Sequence, residues 1–132
     1  MLAAFTAFGP SAYSVPLEPS PPNGTYVALG DSYASGVGAP PYASGTDVQG
    51  GNGCKRAAGA YAHQVAGQTG KTLDFGACSG ARIPDFYNPR TSWNEPAQLD
   101  HLNASTSLVT FSIGGNDAGF STILSNCATP LP

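Results

Sequence analysis

The sequence has few charged residues and no basic stripe. Of its 132 residues, only five are Lys or Arg and eight are Asp or Glu, so the formal net charge is −3. Charged residues make up 10% of the chain, whereas folded domains average about 25%. Because no cluster of Lys or Arg could neutralise phosphate groups, the sequence predicts no binding to nucleic acid or to an anionic membrane surface.

Long hydrophobic runs and phosphate-binding loops are also missing. The most apolar stretch, residues 1–15 (MLAAFTAFGPSAYSV), is interrupted by Gly9 and Pro10. It falls short of the roughly 20 residues that a transmembrane helix needs, so we predict no stable membrane insertion. Neither G-x-x-x-x-G-K-[ST] nor G-x-G-x-x-G occurs, and their absence disfavours nucleotide binding.

The cysteines lack metal-site spacing. Cys54, Cys78 and Cys127 form no C-x-x-C pair and no zinc-like pair with histidine, so we predict no metal and no cofactor. Glycosylation sequons begin at Asn23 and Asn103, and they would be used in a eukaryotic secretory route. Cysteines and sequons together favour an oxidising compartment, which predicts a secreted, extracellular protein.

The chain divides into a leader and one domain. Residues 1–24 combine a candidate signal-peptide remnant with a Pro-rich linker, PLEPSPP, at 16–22, and extended Pro-rich segments are typical of linkers. The folded domain is expected over residues 25–132, a length that suits a single hydrophobic core.

Apolar patterning alternates between strands and helices within that domain. Short apolar or β-branched runs predict strands at 26–29, 72–75 and 108–113. Helical patterns cover 60–69, 97–102 and 118–124, with Leu99 and Leu102 of the middle helix expected to face inward. Residues 33–58 are expected to form a long loop. This order predicts an α/β fold with a parallel sheet. Because open α/β sheets usually have more than three strands, we expect the domain to be incomplete at its C-terminus.

Three polar tripeptides follow the three predicted strands. They are GDS at 30–32, CSG at 78–80 and GND at 115–117. Each alone is typical of a turn, but the carboxyl ends of parallel strands meet at one edge, where active sites gather. Ser32 offers a nucleophilic hydroxyl, Gly80 an unobstructed backbone N–H and Asn116 a side-chain NH₂. A nucleophile with donors for a developing oxyanion is what acyl transfer requires.

These blocks, in their order and spacing, resemble those of the SGNH or GDSL hydrolases. The segments are GDSYASG at 30–36, ACSGA at 77–81 and GGND at 114–117. The resemblance implies a three-layer αβα sandwich with a parallel sheet, the flavodoxin-like SGNH hydrolase fold. It implies a lipase- or esterase-like hydrolase of carboxylic esters, in which Ser32 is the nucleophile. The oxyanion hole would comprise the N–H groups of Ser32 and Gly80 and the Asn116 side chain. Tyr33 replaces the leucine of the GDSL name.

The resemblance also bears on the cysteines. Secreted members of this family carry disulfides, which supports a bond between Cys54 and Cys78 that ties the long loop to the end of the second strand. Cys127 is then left over, and its partner is expected outside this chain or not at all.

One expected part of the site is missing. The family takes its general base from an Asp-x-x-His segment near the C-terminus, and that motif does not occur in this sequence. His63 and His101 are the two histidines, and we expect both to be solvated at the surface. Asp31 and Asp117 are explained by turn formation and by hydrogen bonds that support their neighbours. The general base is therefore unassigned, and the chain is expected to be inactive alone.

Two functions remain open from the sequence. The first is ester hydrolysis of a small-molecule, lipid or acylated-sugar substrate. The alternative is a non-catalytic module that binds an acyl chain or a carbohydrate in the same cleft. The sequence assigns neither the substrate nor the oligomeric state.

Overall fold

The computed structural model describes residues 24–128. The predicted leader and linker lie outside the described residues except for Gly24, and so does Asn23 of the first sequon. None of the helices in residues 24–128 is long and apolar enough to cross a bilayer.

Three parallel strands form one sheet with the first strand in the middle. The strands are β1 (Thr25–Gly30), β2 (Thr72–Phe75) and β3 (Thr106–Ser112), in the order β2-β1-β3. The central position suits the YVAL run, whose four residues are all buried, because a parallel strand covered on both faces needs a continuous apolar run. The predicted α/β fold with a parallel sheet is confirmed.

The helices within residues 24–128 are short. They are α1 (Ser32–Ser35), α2 (Tyr61–Thr69) and α3 (Phe120–Ala128), with 3₁₀ turns at Ile83–Phe86, Thr91–Trp93 and Gln98–His101. Helix α2 ends as predicted at Gly70, which has a left-handed φ of 67°. Helix α1 was not predicted, because its four residues lie in a segment whose composition is typical of a loop. The loop that follows it has an isolated antiparallel bridge between Tyr42 and Ala57.

The predicted helix at 97–102 is a single 3₁₀ turn, and its buried side chain is not the expected one. Gln98 is 4% exposed, whereas Leu102 is 39% exposed. The backbone of Leu102 is extended, with φ −77° and ψ 134°, so the turn ends there. The prediction that Leu102 faces inward is therefore wrong.

The two faces of the sheet are covered by different elements. On one face, Tyr26 and Ala28 of β1 pack with Ala62 of α2. Leu29 points to the opposite face, because side chains alternate along a strand, and that face is contacted by the Gln98–His101 turn. A second cluster beyond the strand ends comprises Cys54, Cys78 and Ala81, with Trp93 and Ile113 packed against them. This second cluster underlies the edge that carries the predicted site.

Candidate active site

Ser32 stands at the first position of α1, directly after the central strand. Asp31 caps the helix, since its carboxylate accepts a hydrogen bond of 3.0 Å from the backbone N–H of Tyr33. Asp31 is 7% exposed, and its own N–H donates to the carbonyl of Ser112. Among residues 24–128, none accepts a hydrogen bond from the Ser32 N–H, as is typical of the first turn of a helix. The strand end thus fixes Ser32 and leaves its N–H available.

Gly30 lets the chain turn closely against β3. Its φ is 127°, and a Cβ added there would lie 2.2 Å from the Ser112 carbonyl oxygen. The Gln98 side chain holds the same residue: its Oε1 accepts from the Gly30 N–H at 2.7 Å, and its Nε2 donates to the Gly30 carbonyl at 2.9 Å. Both the N–H and the carbonyl of Gly30, two residues before Ser32, are therefore hydrogen-bonded.

The loop after β2 is tied to the long loop and to β1. Cys54 and Cys78 form a disulfide with a Cα–Cα distance of 4.0 Å, as the resemblance implied. The N–H of Cys78 donates to the Gly30 carbonyl, and the N–H of Ser79 donates to the Cys54 carbonyl, at 2.9 and 3.0 Å. Gly80 follows, exposed and with a left-handed φ of 72°. Within the part of the chain that the structure describes, its N–H has no acceptor.

Asn116 reaches from the end of β3 to the Gly80 loop. Its Nδ2 donates to the Ala81 carbonyl at 2.8 Å, which uses one of the two amide hydrogens and leaves the other. Its neighbour Asp117 accepts from the Ile83 N–H, at 3.2 and 3.1 Å to its two carboxylate oxygens. Asp117 thus holds the loop in place, which agrees with the supporting role expected for it.

Ser32 and Asn116 line one open cavity of about 480 Å³. Its other lining residues come from the Asp31 turn, the end of β3 and the start of α3. Gly80 does not line this cavity but lies next in sequence to Ala81, the residue that Asn116 contacts. The structure therefore brings the first and third predicted blocks to one cavity and places the second beside it.

A second cavity, of about 530 Å³, adjoins the first. Tyr33 and Ser112 line both cavities. The second is bounded by the aromatic side chains of Tyr33, Tyr61 and Phe111, and its other lining residues are small or β-branched: Gly36, Gly59, Ala60 and Thr110. Its size and apolar walls are typical of a pocket that holds a hydrocarbon group.

The two histidines differ in their surroundings, and one expectation about them is wrong. His63 is exposed, as predicted, with its ring edge-on to Phe75 at 5.5 Å between centroids. His101 is partly buried rather than free at the surface: its Nδ1 lies 2.7 Å from Asp74 Oδ1, and its side chain is 19% exposed. Although its backbone precedes β3, its side chain reaches back to β2. Neither histidine is among the residues described as lining the Ser32 cavity.

Two arginine–carboxylate pairs, which no sequence motif marks, anchor the Gly80 loop. Arg56 pairs with Glu95 and donates from Nε to the Ala77 carbonyl at 2.9 Å. Arg90 pairs with Asp85 at 3.0 and 2.9 Å and donates from Nη1 to the Ser79 carbonyl at 2.9 Å. Arg56 and Arg90 belong to no motif or periodic pattern in the sequence. Their roles become visible only in the folded structure, where each lies beside its carboxylate partner.

Both carboxylates of these pairs are held in the ionised form. Burial tends to raise the pKa of Glu95, but hydrogen bonds from Arg56 and Asn52 outweigh it and lower that pKa below its usual value. Burial also tends to raise the pKa of Asp85. Hydrogen bonds from the Arg90 side chain and the Arg82 backbone N–H outweigh it and lower that pKa below its usual value. The loop is therefore anchored by charges at neutral pH.

No group of three or more His, Cys, Asp or Glu side chains suited to a metal ion occurs in residues 24–128. The chemistry that the arrangement offers is that of a hydroxyl with hydrogen-bond donors around it. Such donors stabilise the oxyanion of a tetrahedral intermediate.

Comparison with known proteins agrees with this geometry. Lipase 1 of Streptomyces coelicolor is 41% identical over 96% of this chain, and the lipase of Streptomyces rimosus is 45% identical over 77%. The chain spans 42% and 34% of the lengths of these relatives.

Solved structures give the same result. Phospholipase A1 from Streptomyces albidoflavus NA297 aligns with a TM-score of 0.64 and 44% identity, covering 80% of this chain and 39% of that one. The extracellular lipase from Streptomyces rimosus aligns with a TM-score of 0.66 and 41% identity, covering 83% and 42%. A model of the GDSL-like lipase/acylhydrolase family matches residues 28–131. The chain therefore belongs to the GDSL-like lipase/acylhydrolase family.

Proposed function

We propose that this chain supplies the serine nucleophile and the oxyanion hole of a secreted carboxylic-ester hydrolase. The observation that carries the proposal is the shared cavity of Ser32 and Asn116, at the edge of the sheet where β1 and β3 end. Family membership, the disulfide and the extracellular lipase among its structural relatives support both the reaction and the compartment.

The reaction follows from the groups present. The Ser32 Oγ bonds to the acyl carbon, and the carbonyl π electrons move to the oxygen, which becomes an oxyanion. The N–H groups of Ser32 and Gly80 and the second amide hydrogen of Asn116 stabilise that charge. Collapse of the intermediate breaks the bond to the alcohol oxygen, which takes the proton that Ser32 lost. A water oxygen then bonds to the acyl carbon of the acyl-enzyme, and the bond between that carbon and Ser32 Oγ breaks. Oγ regains a proton from the water, and the carboxylic acid is released.

The neighbouring apolar cavity favours an ester with a hydrocarbon acyl chain. Its aromatic wall, which includes Tyr33 and Phe111, begins where the Ser32 cavity ends. The residues that line this second cavity include no charged side chain, which suits a hydrocarbon chain that extends from a carbonyl carbon beside Ser32.

Proton transfer from Ser32 requires a base that this sequence does not contain in the family's Asp-x-x-His form. We propose that such a segment acts from a longer gene product or in trans. Loss of the histidine in a serine hydrolase costs on the order of 10⁶ in kcat, while oxyanion donors and binding retain roughly 10³–10⁴ over water.

The test measures hydrolysis of p-nitrophenyl acetate. The 132-residue chain should hydrolyse the ester barely above background. Fusing or adding the Asp-x-x-His segment of one of the Streptomyces relatives should raise the rate by several orders of magnitude, and Ser32→Ala should abolish that gain. Robust hydrolysis by the short chain that survives Ser32→Ala would refute the mechanism. Hydrolysis lost on His63→Ala would instead identify His63 as the base.

The alternative, a non-catalytic acyl- or carbohydrate-binding module, is tested by the same proteins. It predicts that the chain binds an ester or its acyl part without turnover, with or without the added segment. It also predicts that Ser32→Ala leaves affinity unchanged.

A further inference from the structure

The Arg90 guanidinium bonds to the peptide group that carries the Gly80 N–H. Its Nη1 donates to the Ser79 carbonyl at 2.9 Å, while Nε and Nη2 bond to the two oxygens of Asp85. The guanidinium also lies over the Trp93 ring, 5.0 Å from its centroid. Nη1 also lies 3.6 Å from Cys78 Sγ. Because the carboxylate and the ring fix the plane of the guanidinium, the N–H of Nη1 that reaches the Ser79 carbonyl points in a fixed direction.

Fixing that carbonyl fixes the N–H of the next residue. The Ser79 C=O and the Gly80 N–H belong to one planar trans peptide and point to opposite sides of it. The Gly80 φ of 72° is one that side-chain-bearing residues rarely adopt. Because glycine has no side chain to restrict φ, Gly80 itself does little to limit rotation of the Ser79–Gly80 peptide. The Arg90 hydrogen bond removes that freedom and directs the N–H away from the guanidinium.

The Gly80 N–H differs from the N–H groups of the neighbouring residues in its hydrogen bonding. The N–H groups of Cys78, Ser79 and Ala81 all donate to backbone carbonyls. The Gly80 N–H is the one in this run for which residues 24–128 provide no acceptor. A positively charged donor on the carbonyl also polarises the peptide, because charge-assisted hydrogen bonds are stronger than neutral ones and bonds in series reinforce one another.

Arg56 provides the contrast that separates positioning from simple anchoring. It also pairs with a carboxylate and donates to a loop carbonyl, that of Ala77. The N–H of that peptide belongs to Cys78 and is already bonded to Gly30. Arg56 therefore holds the same loop without acting on a free donor.

We propose that Arg90 is a positioning residue that orients and polarises the Ser79–Gly80 peptide so that the Gly80 N–H serves as an oxyanion donor. The inference rests on the proposed hydrolase function and goes beyond it, since it assigns the orientation of the hole to a side chain outside the three family blocks. Asp85 acts through Arg90 by fixing the guanidinium.

The first experiment measures the orientation of the N–H in the 132-residue chain itself. Residual dipolar couplings and amide chemical shifts of Gly80 are recorded by NMR for the unchanged protein, Arg90→Gln, Arg90→Lys and Arg56→Gln. In Arg90→Gln we expect the Gly80 coupling to shrink through averaging and its amide proton to move upfield. Arg90→Lys should restore part of both, because it keeps the charge and one donor, and Arg56→Gln should leave both in place. A Gly80 coupling and shift unchanged in Arg90→Gln would overturn the inference.

The second experiment measures p-nitrophenyl acetate kinetics with the Asp-x-x-His segment supplied. Removing an oxyanion donor outright costs about 10²–10³ in kcat, and we expect disorienting one to cost roughly 10- to 100-fold, with KM within about threefold because the donor acts on the transition state. Arg56→Gln should lower the melting temperature while keeping kcat within about threefold. An equal loss of kcat in both variants would reduce Arg90 to a structural anchor.

The two arms separate failure of this inference from failure of the proposed function. If no Ser32-dependent hydrolysis is found, the proposed function fails, but the NMR measurements still decide whether Arg90 orients the peptide. Asp85→Asn is a second variant for the case in which Arg90→Gln does not fold. It keeps the guanidinium, removes its fixed partner, and should shift the Gly80 signal in the same direction.

Discussion

The side-chain amide of Gln98 makes two hydrogen bonds to the backbone of Gly30, one to its N–H at 2.7 Å and one to its carbonyl at 2.9 Å. The two residues are 68 positions apart in the chain. Gly30 ends the central strand two residues before Ser32. The Gln98 amide satisfies the Gly30 N–H, and it shares the Gly30 carbonyl with the backbone N–H of Cys78.

Gln98→Glu should therefore make stability depend on pH in a way that the unchanged protein does not. Burial raises the pKa of the new carboxyl above its usual value of about 4.3. Below that raised pKa the neutral acid offers one donor and one acceptor, as Gln98 does. Above it the carboxylate faces the Gly30 carbonyl and cannot donate. Stability should thus be present at low pH and lost as pH rises through the folded-state pKa.

The measurement is the melting temperature from pH 4.5 to 8 (~0.5 steps), corrected by the profile of the unchanged protein. Gln98→Ala is the control, because it removes both hydrogen bonds and should lower stability at every pH. A parallel profile for Gln98→Glu and Gln98→Ala would show that the second hydrogen bond does not matter.

Gly30→Ala should be among the most damaging single changes. The added Cβ would lie 2.2 Å from the Ser112 carbonyl oxygen at a φ of 127°, so strain and a backbone clash add to each other. We expect a loss of roughly 2–4 kcal/mol in the free energy of unfolding, measured by denaturant titration. Gly38→Ala is matched to it, because Gly38 also has a positive φ, 96°, but no atom within 4 Å of the added Cβ. A comparable loss at Gly38 would mean that strain alone explains the effect.

Much of the fold was predictable because it depends on local pattern. The strand at 26–29 is a continuous apolar run, and helix α2 stops at Gly70, as the sequence indicates. Leu102 and Gln98 show where such reasoning fails. Hydrophobicity places Leu102 inside, but Gln98 is buried instead because its polar atoms find partners on Gly30. Those partners are set by the tertiary fold and leave no trace in the spacing of residues around position 98.

The site divides in the same way. The sequence proposes Ser32, Gly80 and Asn116 as candidates because each lies within a few residues of the end of a strand. Arg90 was not identifiable in this way, since it lies in an irregular segment and its role depends on Asp85 and on the Ser79 carbonyl. The surroundings of His101 were misjudged for a related reason: the path of the chain gives the position of its backbone, whereas the carboxylate of Asp74 decides where its ring lies.

Reducing the disulfide should destabilise the protein substantially. Cys54 and Cys78 are 24 residues apart and both are buried beneath the strand ends. A loop of that length corresponds to about 3.5 kcal/mol in the free energy of unfolding. The measurement is denaturant unfolding of the double variant Cys54→Ser/Cys78→Ser against the unchanged protein. Cys127→Ser is the control, because Cys127 is exposed and free in the structure, and it should leave the midpoint within experimental error.

Acid should weaken the protein partly through Glu95. Its pKa is lowered by hydrogen bonds from Arg56 and Asn52, despite burial. A carboxyl whose folded-state pKa is depressed contributes stability above its ordinary pKa, about 4.5, and that contribution is lost as pH falls through the folded-state value. Glu95→Gln should therefore be less stable at neutral pH and should show a shallower decline below about pH 4.5.

The control for this prediction is Asp47→Asn. Asp47 pairs with Lys55 at 3.6 Å, but its side chain is 50% exposed, and exposed ion pairs contribute little. Thermal unfolding of the three proteins between pH 3 and 7 (~1-unit steps) gives the comparison. If the melting temperature of Glu95→Gln falls as steeply at low pH as that of the unchanged protein, groups other than Glu95 cause the acid sensitivity.

The central position of β1 has a consequence for how the protein is made. Both neighbours of β1 lie far downstream, and the hydrogen bond between Tyr26 and Thr110 spans 84 residues. Ribosomes add about 5–20 residues per second, so the most apolar strand emerges several seconds before its last partner. Contacts of such long range slow folding and prolong exposure of the unpaired strand. The turn that carries Ser32 is synthesised early, yet it acquires its final geometry only after β3 has been added.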